Sequence, residues 1–160
     1  MNEVIWIIIA IVIIGGGIYL GVKRNQKLLS EGKIITRKSD FMESAEEFTL
    51  TAVTPEKVTE AVKALDYKDL GAGMQGSSQQ QAFKFNGYSW NAQLFLVSGD
   101  ENQAVYRFEF TNWKTHNGSV QNVVGMNKMI TAVEKLFLAL DPNTQVRTIP
   151  LEVKTKHNFF

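Results

Sequence analysis

The chain opens with an uninterrupted run of apolar residues. From Val4 to Val22 the sequence reads VIWIIIAIVIIGGGIYLGV, in which the phenol of Tyr19 is the only ionisable side chain. As a helix, these 19 residues would rise about 28 Å, close to the roughly 30 Å hydrocarbon core of a bilayer. Trp6 and Tyr19 lie near the two ends, where amphipathic rings favour the membrane interface. The pattern predicts a transmembrane helix over residues 4–22.

The charges that flank this run predict its orientation. Glu3 is the only charged side chain before it, whereas residues 23–40 contain six basic and two acidic side chains. Because the basic side of a span stays in the cytoplasm, we predict a single-pass protein of the cell membrane. Its N-terminus would lie outside and its C-terminal domain in the cytoplasm. Lys23, Arg24 and Lys27 are the predicted contacts for anionic lipid.

Four glycines interrupt the run near its C-terminal end and allow two interpretations. Gly15 and Gly17 supply the small residues of a signal-peptide cleavage site. A signal peptide, however, carries its positive charge before an apolar run of only about 7 to 15 residues. A retained signal anchor fits both charge and length better. In a retained helix Gly17 and Gly21 form a GxxxG pair, which with Ala10 predicts a small-residue face for helix–helix packing or homo-oligomer formation.

Regular apolar periods begin after residue 45. The segment FTLTAV (48–53) alternates apolar side chains with threonines and predicts a strand. Thr54 and Pro55 then suit the N-cap and the first position of a helix. The apolar positions that follow recur at helical spacing: Val58, Ala61, Val62 and Leu65. A strand followed by a short amphipathic helix is predicted.

Three further alternating runs predict an antiparallel meander. QAFKF (81–85) and YSWNAQLFLV (88–97) are joined by Asn86-Gly87, which favours a type I′ hairpin because both central residues of that turn need positive φ. The third run, AVYRFEFTNWKT (104–115), alternates Tyr106, Phe108 and Phe110 with charged residues. The high aromatic content leaves open whether the sheet has a second apolar face, or a cavity, besides its core face.

A long amphipathic helix follows the meander. In SVQNVVGMNKMITAVEKLFLAL (119–140) apolar residues recur with spacings of three and four, as on a helix of about five turns. Asp141-Pro142-Asn143 ends it, and QVRTIPLEV (145–153) predicts an edge strand in which Pro150 is tolerable. The order β-α-β-β-β-α-β predicts a small α+β domain. Its antiparallel sheet would have four to five strands, with the long C-terminal helix packed across one face.

These patterns divide the chain into four predicted parts. They are a short extracytoplasmic N-terminus (1–3), the transmembrane helix (4–22), a basic juxtamembrane linker (23–45) and the soluble α+β domain (46–160). Residues 41–160 carry 11 basic and 13 acidic side chains. Because nucleic-acid binding needs a concentrated basic surface, no nucleic-acid partner is predicted. The predicted partners are the lipid bilayer and a protein, or a second copy of the chain.

Two short motifs have simple structural interpretations. GAGMQG (71–76) matches the GxGxxG of dinucleotide sites, but it follows a predicted helix rather than a strand. We interpret it as part of a flexible loop over 66–80, with a binding loop as the alternative. Asn117-Gly118-Ser119 is a formal glycosylation sequon, and its Asn-Gly pair is interpreted as a turn.

Little in the sequence indicates catalytic chemistry. The chain has no cysteine, and His116 and His157 have no companions at metal-ligand spacing. Glu43, Glu46 and Glu47 are interpreted as an acidic approach to the first strand. No catalytic, cofactor-binding or metal-binding residue is therefore nominated, and no cofactor is predicted.

Three functions remain compatible with these features. The first is a membrane-anchored, non-catalytic cytoplasmic interaction module that serves as a subunit or adaptor of a membrane-associated assembly. The second is a membrane-tethered domain that binds a lipid or another small hydrophobic ligand, which would need a cavity between the meander and the long helix. The third is an enzyme of unrecognised class, which would need convergent polar groups and perturbed carboxylates.

Overall fold

The computed structural model describes residues 2–51, 53–77, 79–100, 103–151 and 158–159. Two units are present, Met1–Thr36 and Arg37–Phe160. The first contains α1 (Asn2–Ser30), a helix of 29 residues that continues past Val22 through the first basic residues of the predicted linker. The rest of the predicted linker comprises an irregular segment, a 3-10 turn (Phe41–Glu43) and the start of the first strand.

Within the side chains that the structure describes, no helix is both long and apolar enough to count as a membrane span. Val4, Ile5, Ile8 and Ile11 of the predicted transmembrane helix lie outside that description. The span over 4–22 therefore stays a prediction.

The second unit is built on a large antiparallel sheet. Its strands are β1 (Ser44–Thr51), β2 (Ala72–Ser77), β3 (Ala82–Gly87), β4 (Trp90–Gly99), β5 (Gln103–His116), β6 (Ser119–Val120), β7 (Gln145–Pro150) and β8 (Asn158–Phe159). The main order is β2-β3-β4-β5-β1-β7, antiparallel throughout. β6 pairs antiparallel, and β8 parallel, with the end of β5. The predicted α+β class is confirmed, with more strands than the four to five predicted.

Among the described residues of this unit, the α-helices are α2 (Pro55–Lys63), α3 (Tyr67–Leu70) and α4 (Val123–Leu140). α4 is the long helix that the sequence predicts, and it lies against the face of the sheet that carries the apolar side chains. The ring of Phe137 stacks on Phe48 of β1 at 4.6 Å between centroids and lies 5.5 Å from the ring of Tyr106 of β5. Because these rings are in direct contact, the sheet and α4 enclose a packed aromatic core.

The predicted flexible loop over 66–80 is wrong. Gly71, with φ +64°, caps α3, and the next residues form the edge strand β2, paired with β3. Glycine is rare in strands, which is why the pattern was misinterpreted. At Gly76 a Cβ would lie only 2.5 Å from Cδ1 of Phe83 on the neighbouring strand. The glycine therefore makes room for an aromatic ring across the edge strand.

The predicted type I′ hairpin at Asn86-Gly87 is also wrong. These residues end β3 without the positive φ that the turn requires, and the chain reverses over Tyr88 and Ser89. Gly87 has a different role, because a Cβ there would lie 2.2 Å from Cε2 of Trp90.

The positive φ pair occurs instead at the other Asn-Gly. Asn117 and Gly118 have φ of +48° and +75°, and they join β5 to β6, where His116 pairs with Ser119. The interpretation of this sequon as a turn is confirmed. Two identical dipeptides thus have different conformations, and at the first one the ring of Trp90 occupies the space that a Cβ on Gly87 would need.

The outer face of the sheet, on the side opposite α4, carries paired polar side chains. Gln93 of β4 donates a hydrogen bond to Glu109 of β5 at 2.6 Å. Arg107 of β5 donates two hydrogen bonds to Glu47 of β1, at 2.6 and 3.0 Å. The predicted alternation of aromatic and charged residues along β5 is therefore confirmed, with Tyr106, Phe108 and Phe110 buried in the core.

Candidate functional site

A buried arginine binds two carboxylates at the start of the second unit. Arg37 donates from Nη1 to Oε1 of Glu46 at 2.8 Å and from Nη2 to Oε2 of Glu134 at 2.5 Å. Its Nε donates to Oδ1 of Asn127 at 3.3 Å. The side chains of Arg37, Glu46 and Glu134 are 9%, 8% and 17% exposed. We call Arg37, Glu46 and Glu134 the carboxylate cluster.

Two secondary-structure elements position the acids. Glu46 lies on β1 at an alternate position from Phe48 and Leu50, so strand geometry points all three towards α4. Glu134 lies on α4, seven residues after Asn127, which places both on the same helix face two turns apart. Thr131 lies between them and donates to Oδ1 of Asn127 at 3.1 Å. A polar row on one side of α4 therefore meets one polar residue on β1.

The charges of the cluster do not balance when both acids are ionised. One guanidinium then faces two carboxylates in a site that excludes most water. Burial, followed by the charge of Glu134, raises the pKa of Glu46 to about 7 from 4.5, although Arg37 acts in the opposite direction. A proton on Glu46 both relieves the repulsion and supplies a hydrogen-bond donor towards Glu134. Among the described residues, Oε2 of Glu46 has no donor partner. Near neutral pH the carboxyl of Glu46 is therefore partly protonated, whereas a glutamate with the ordinary pKa would be ionised.

The residues from Arg37 to Glu43, which we call the strap, follow the first unit directly in the chain. The guanidinium of Arg37 lies 5.9 Å from the ring centroid of Phe41 within the strap. Phe41 packs edge-on against Phe110 of β5, with centroids 6.0 Å apart, and Met42 is buried. Residues 38–40 between these contacts are exposed. The strap is therefore held at its two ends.

A second buried polar group lies beside α2. Gln81, at φ +47°, accepts a hydrogen bond from the hydroxyl of Tyr106 at 2.9 Å and donates one to Oγ1 of Thr59 at 3.0 Å. Burial, with a smaller contribution from the charge of Glu56, raises the pKa of Tyr106 to about 12. The side-chain amide of Gln81 is satisfied at both ends, so it holds the β2–β3 turn in place.

An open groove of about 610 Å³ borders Gln81, and Glu56, Glu60 and Lys63 of α2 line part of it. The described residues contain no group of three or more side chains suited to a metal ion.

The residues that the sequence nominated lie elsewhere. Ala10, Gly17 and Gly21 are exposed on α1, and a Cβ added at either glycine would meet no atom within 4 Å. Lys23, Arg24 and Lys27 are also on α1 and mostly exposed. Neither set includes a member of the carboxylate cluster. The structure contains no second helix copy and no lipid that could test these positions, so both nominations remain predictions.

The sequence pattern does not predict the carboxylate cluster, although it contains one signal for it. Glu46 has the same strand parity as Phe48 and Leu50, which makes it a core-facing acid rather than part of an acidic approach. Its partner Glu134 lies 88 positions later in the sequence, and nothing local connects them. A buried position for an acid predicts a partner, but only the packing of α4 identifies which residue it is.

Comparison with known proteins adds no relationship. No protein-family model matches the chain. No curated protein matches it either.

Proposed function

We propose that this protein is a single-pass membrane protein whose α+β domain is a non-catalytic cytoplasmic interaction module, a subunit or adaptor of a membrane-associated assembly. The observation that carries the proposal is the exposed apolar surface of α1. This helix is 29 residues long, and the central part of its sequence has no charged side chain.

The apolar surface of α1 extends around the whole helix. Trp6, Val12 and Ile18 are six residues apart, so at about 100° per residue they point in directions roughly 120° from one another. All three are exposed, by 69%, 67% and 65%. A helix on the surface of a water-soluble protein exposes polar side chains on one side, whereas a helix that is apolar all round is buried in a large protein core or in a membrane. Lipid is the solvent that fits this helix.

The basic end of α1 supports the orientation. Lys23, Arg24 and Lys27 follow the apolar part within the same helix, where they can contact anionic lipid at roughly 1 kcal/mol per charge. Lys23 also lies over the ring of Tyr19, with Nζ 6.0 Å from the centroid. By the positive-inside rule this end faces the cytoplasm, and the domain follows it.

The outer face of the sheet is the proposed interaction surface. Among the described residues, the long helix α4 packs on the other face only, through contacts such as Phe137 with Phe48. Arg147 of β7 is 76% exposed, and its Nη2 lies 3.8 Å from Oε2 of Glu47. This contact extends the row of paired polar side chains towards the sheet edge. A polar face of this kind suits a partner that is bound and released rather than permanently buried.

Alkaline extraction of membranes tests the anchor. We expect the full chain to stay with the membrane pellet, and a double variant with Ile9→Arg and Ile13→Arg to be released, because each Arg costs about 2.5 to 3.5 kcal/mol at the centre of a span. Val146→Arg on the domain surface is the matched control, since Val146 is 44% exposed on β7. Release of the wild-type chain would refute the anchor.

Protease treatment of intact cells tests the orientation. The domain should be protected in intact cells and cleaved after lysis. If protease cleaves it in intact cells, the orientation is the reverse of the proposed one.

Crosslinking of the full chain in its native membranes, compared with a chain that lacks residues 1–22, locates the partner-binding region. Partners retained by the shortened chain belong to the domain, and partners lost with the deletion belong to α1.

A substitution tests the predicted packing face on α1. Gly17→Leu and Gly21→Leu should abolish self-association in a membrane assay, because the GxxxG face allows close approach of two helices only while it is small. Gly15→Leu, outside that pair, is the control. Unchanged self-association in the double variant would remove this part of the proposal.

A further inference from the structure

We propose that β2 is a self-association site, at which the edge of the sheet pairs antiparallel with β2 of a second copy of the chain about a two-fold axis at Met74. The two sheets then join into one continuous sheet. This contact is distinct from the outer face of the sheet and from the packing face of α1, so it goes beyond the proposed interaction module. It does not depend on the proposed membrane anchor.

The first argument is the open backbone of β2. This strand lies at one end of the sheet and, among the described strands, pairs with β3 alone. The backbone N–H and C=O groups on its other side therefore point away from the sheet, and such a row is a template for another strand. Gly73, Gln75 and Gly76 are exposed, so this edge is accessible.

The second argument is a difference between the two ends of the sheet. The strand at the other end, β7, carries Arg147, which is 76% exposed, and Pro150, which has no backbone N–H. A charged side chain and a proline are two features that keep an edge strand from pairing with other chains. The sequence of β2, AGMQGS, contains neither. The unprotected edge of the sheet is therefore the one at β2.

The side chains of β2 alternate between the two faces of the sheet. Met74 is in register with Phe85, a buried residue, and packs partly buried against the core. Gln75 is in register with Lys84, and both are exposed. Any strand added to this edge must keep apolar side chains on the core face and polar ones on the outer face.

The third argument is that a copy of β2 meets this requirement. A two-fold axis perpendicular to the sheet keeps the same face of both copies on the same side, as in an isologous dimer. An axis at Met74 gives three kinds of opposite pair: Met74 with Met74, Ala72 with Gly76, and Gln75 with Gly73. The first two lie on the core face and extend an apolar row from one core to the other. On the outer face each Gln75 lies beside a glycine, which leaves room for it.

Charge favours the same occupant. Like charges directly opposite one another destabilise a strand pair. β2 has no charged residue, and the one charged residue in register with it is Lys84 of β3. In the joined sheet the two copies of Lys84 are three strand spacings apart, about 14 Å, which exceeds the Debye length of roughly 8 Å at physiological ionic strength. Self-pairing therefore brings no charges of equal sign close together.

Disulfide formation tests the two-fold pairing. The chain has no cysteine, so a single introduced cysteine can form a disulfide only with another copy. Residues directly opposite in an antiparallel pair have Cβ atoms about 4.5 to 5.5 Å apart, so Met74→Cys should give a covalent dimer on mild oxidation of the full chain in detergent. Val146→Cys, on β7 and 44% exposed, is the matched control and should stay monomeric. Both variants carry Gly17→Leu and Gly21→Leu, which remove the predicted contact through α1.

Charge reversal tests the pairing without substituting Met74. Gln75→Lys places two like charges diagonally across the axis, about 7 to 8 Å apart, so the dissociation constant of the dimer should rise about tenfold. Gln75→Glu should act in the same way, and an equimolar mixture of the two variants should recover the dimer because opposite charges then meet. Gln145→Lys makes the same change at an exposed position of β7 and should leave association unchanged. Sedimentation velocity of the full chain in detergent, again with Gly17→Leu and Gly21→Leu, measures each.

Each of three results would overturn the proposal. They are a full chain that stays monomeric in these measurements, a dimer whose affinity Gln75→Lys leaves unchanged, and equal disulfide formation by Val146→Cys and Met74→Cys. In native membranes, a Met74→Cys chain that crosslinks to a different protein and not to itself would assign the edge to that partner, and would equally overturn the pairing with a second copy.

Discussion

Two adjacent glutamates on β1 give the clearest comparison in the molecule. Both bind an arginine, but Glu46 points to the core face and Glu47 to the outer face. Arg37, the partner of Glu46, is 9% exposed, whereas Arg107, the partner of Glu47, is 31% exposed. The inner pair must compensate for the hydration that both charges lose on burial, whereas the charges of the outer pair stay partly hydrated. The same pair of residue types therefore has a different energetic role on each face.

The largest expected effect comes from removing the inner cation. Arg37→Ala leaves two buried acids without their counter-ion and should lower the free energy of unfolding by about 3 to 5 kcal/mol. Arg107→Ala on the outer face should cost about 1 kcal/mol or less. Urea unfolding of the full chain in detergent, followed by near-ultraviolet circular dichroism, measures both. Equal losses for the two variants would contradict the difference between the faces.

The pH dependence of stability should come next in size. Because the pKa of Glu46 is raised from 4.5 to about 7 in the fold, the free energy of unfolding should fall as pH rises through that window. The total is at most about 3 kcal/mol at 1.36 kcal/mol per pKa unit. Glu46→Gln should remove this slope and Glu47→Gln should leave it. Urea midpoints at several pH values provide the measurement.

Asp141 contrasts with Glu46, because its pKa shifts in the opposite direction. Hydrogen bonds from the backbone N–H groups of Thr51 and Asn143, both at 2.8 Å, lower the pKa of Asp141. Its contribution to stability is therefore present above the ordinary pKa of an aspartate and is lost as pH falls through the lowered value. Asp141→Asn should make the chain less stable at neutral pH and reduce its loss of stability in acid. An acid-unfolding curve that matches the wild type would contradict this assignment.

The smallest effect is expected at the rim of the outer face. Arg147 is 76% exposed and lies 3.8 Å from Glu47, so Arg147→Ala should change the free energy of unfolding by less than about 0.5 kcal/mol. If the outer face binds a partner, however, the same variant should weaken crosslinking to that partner. A stability loss comparable to that of Arg37→Ala would show that the polar pairs on the outer face are not solvated.

Much of the fold could be predicted from local pattern. Apolar and polar side chains alternate along β5, and apolar side chains recur every three or four residues along α4. Both patterns arise because one face of the element is buried, and both elements occur as predicted. The strand β2 is not predicted because Gly73 and Gly76 hide the alternation, and Gly76 leaves the space that the ring of Phe83 occupies. The turn at Asn86-Gly87 differs from the prediction, and the dipeptide rule takes no account of the Trp90 ring that fills the space beside Gly87.

Neighbours in the chain are enough to predict the long apolar helix, its basic end and the amphipathic strands and helices. Which polar residues meet in the core depends on how distant segments pack. Glu46 and Glu134 are 88 positions apart, and their coupling to Arg37 exists only because β1, α4 and the strap meet at one place. The physical reason is that local periodicity is set by backbone geometry, whereas burial of charge and the resulting pKa shift depend on distances between segments that pair only in the folded chain.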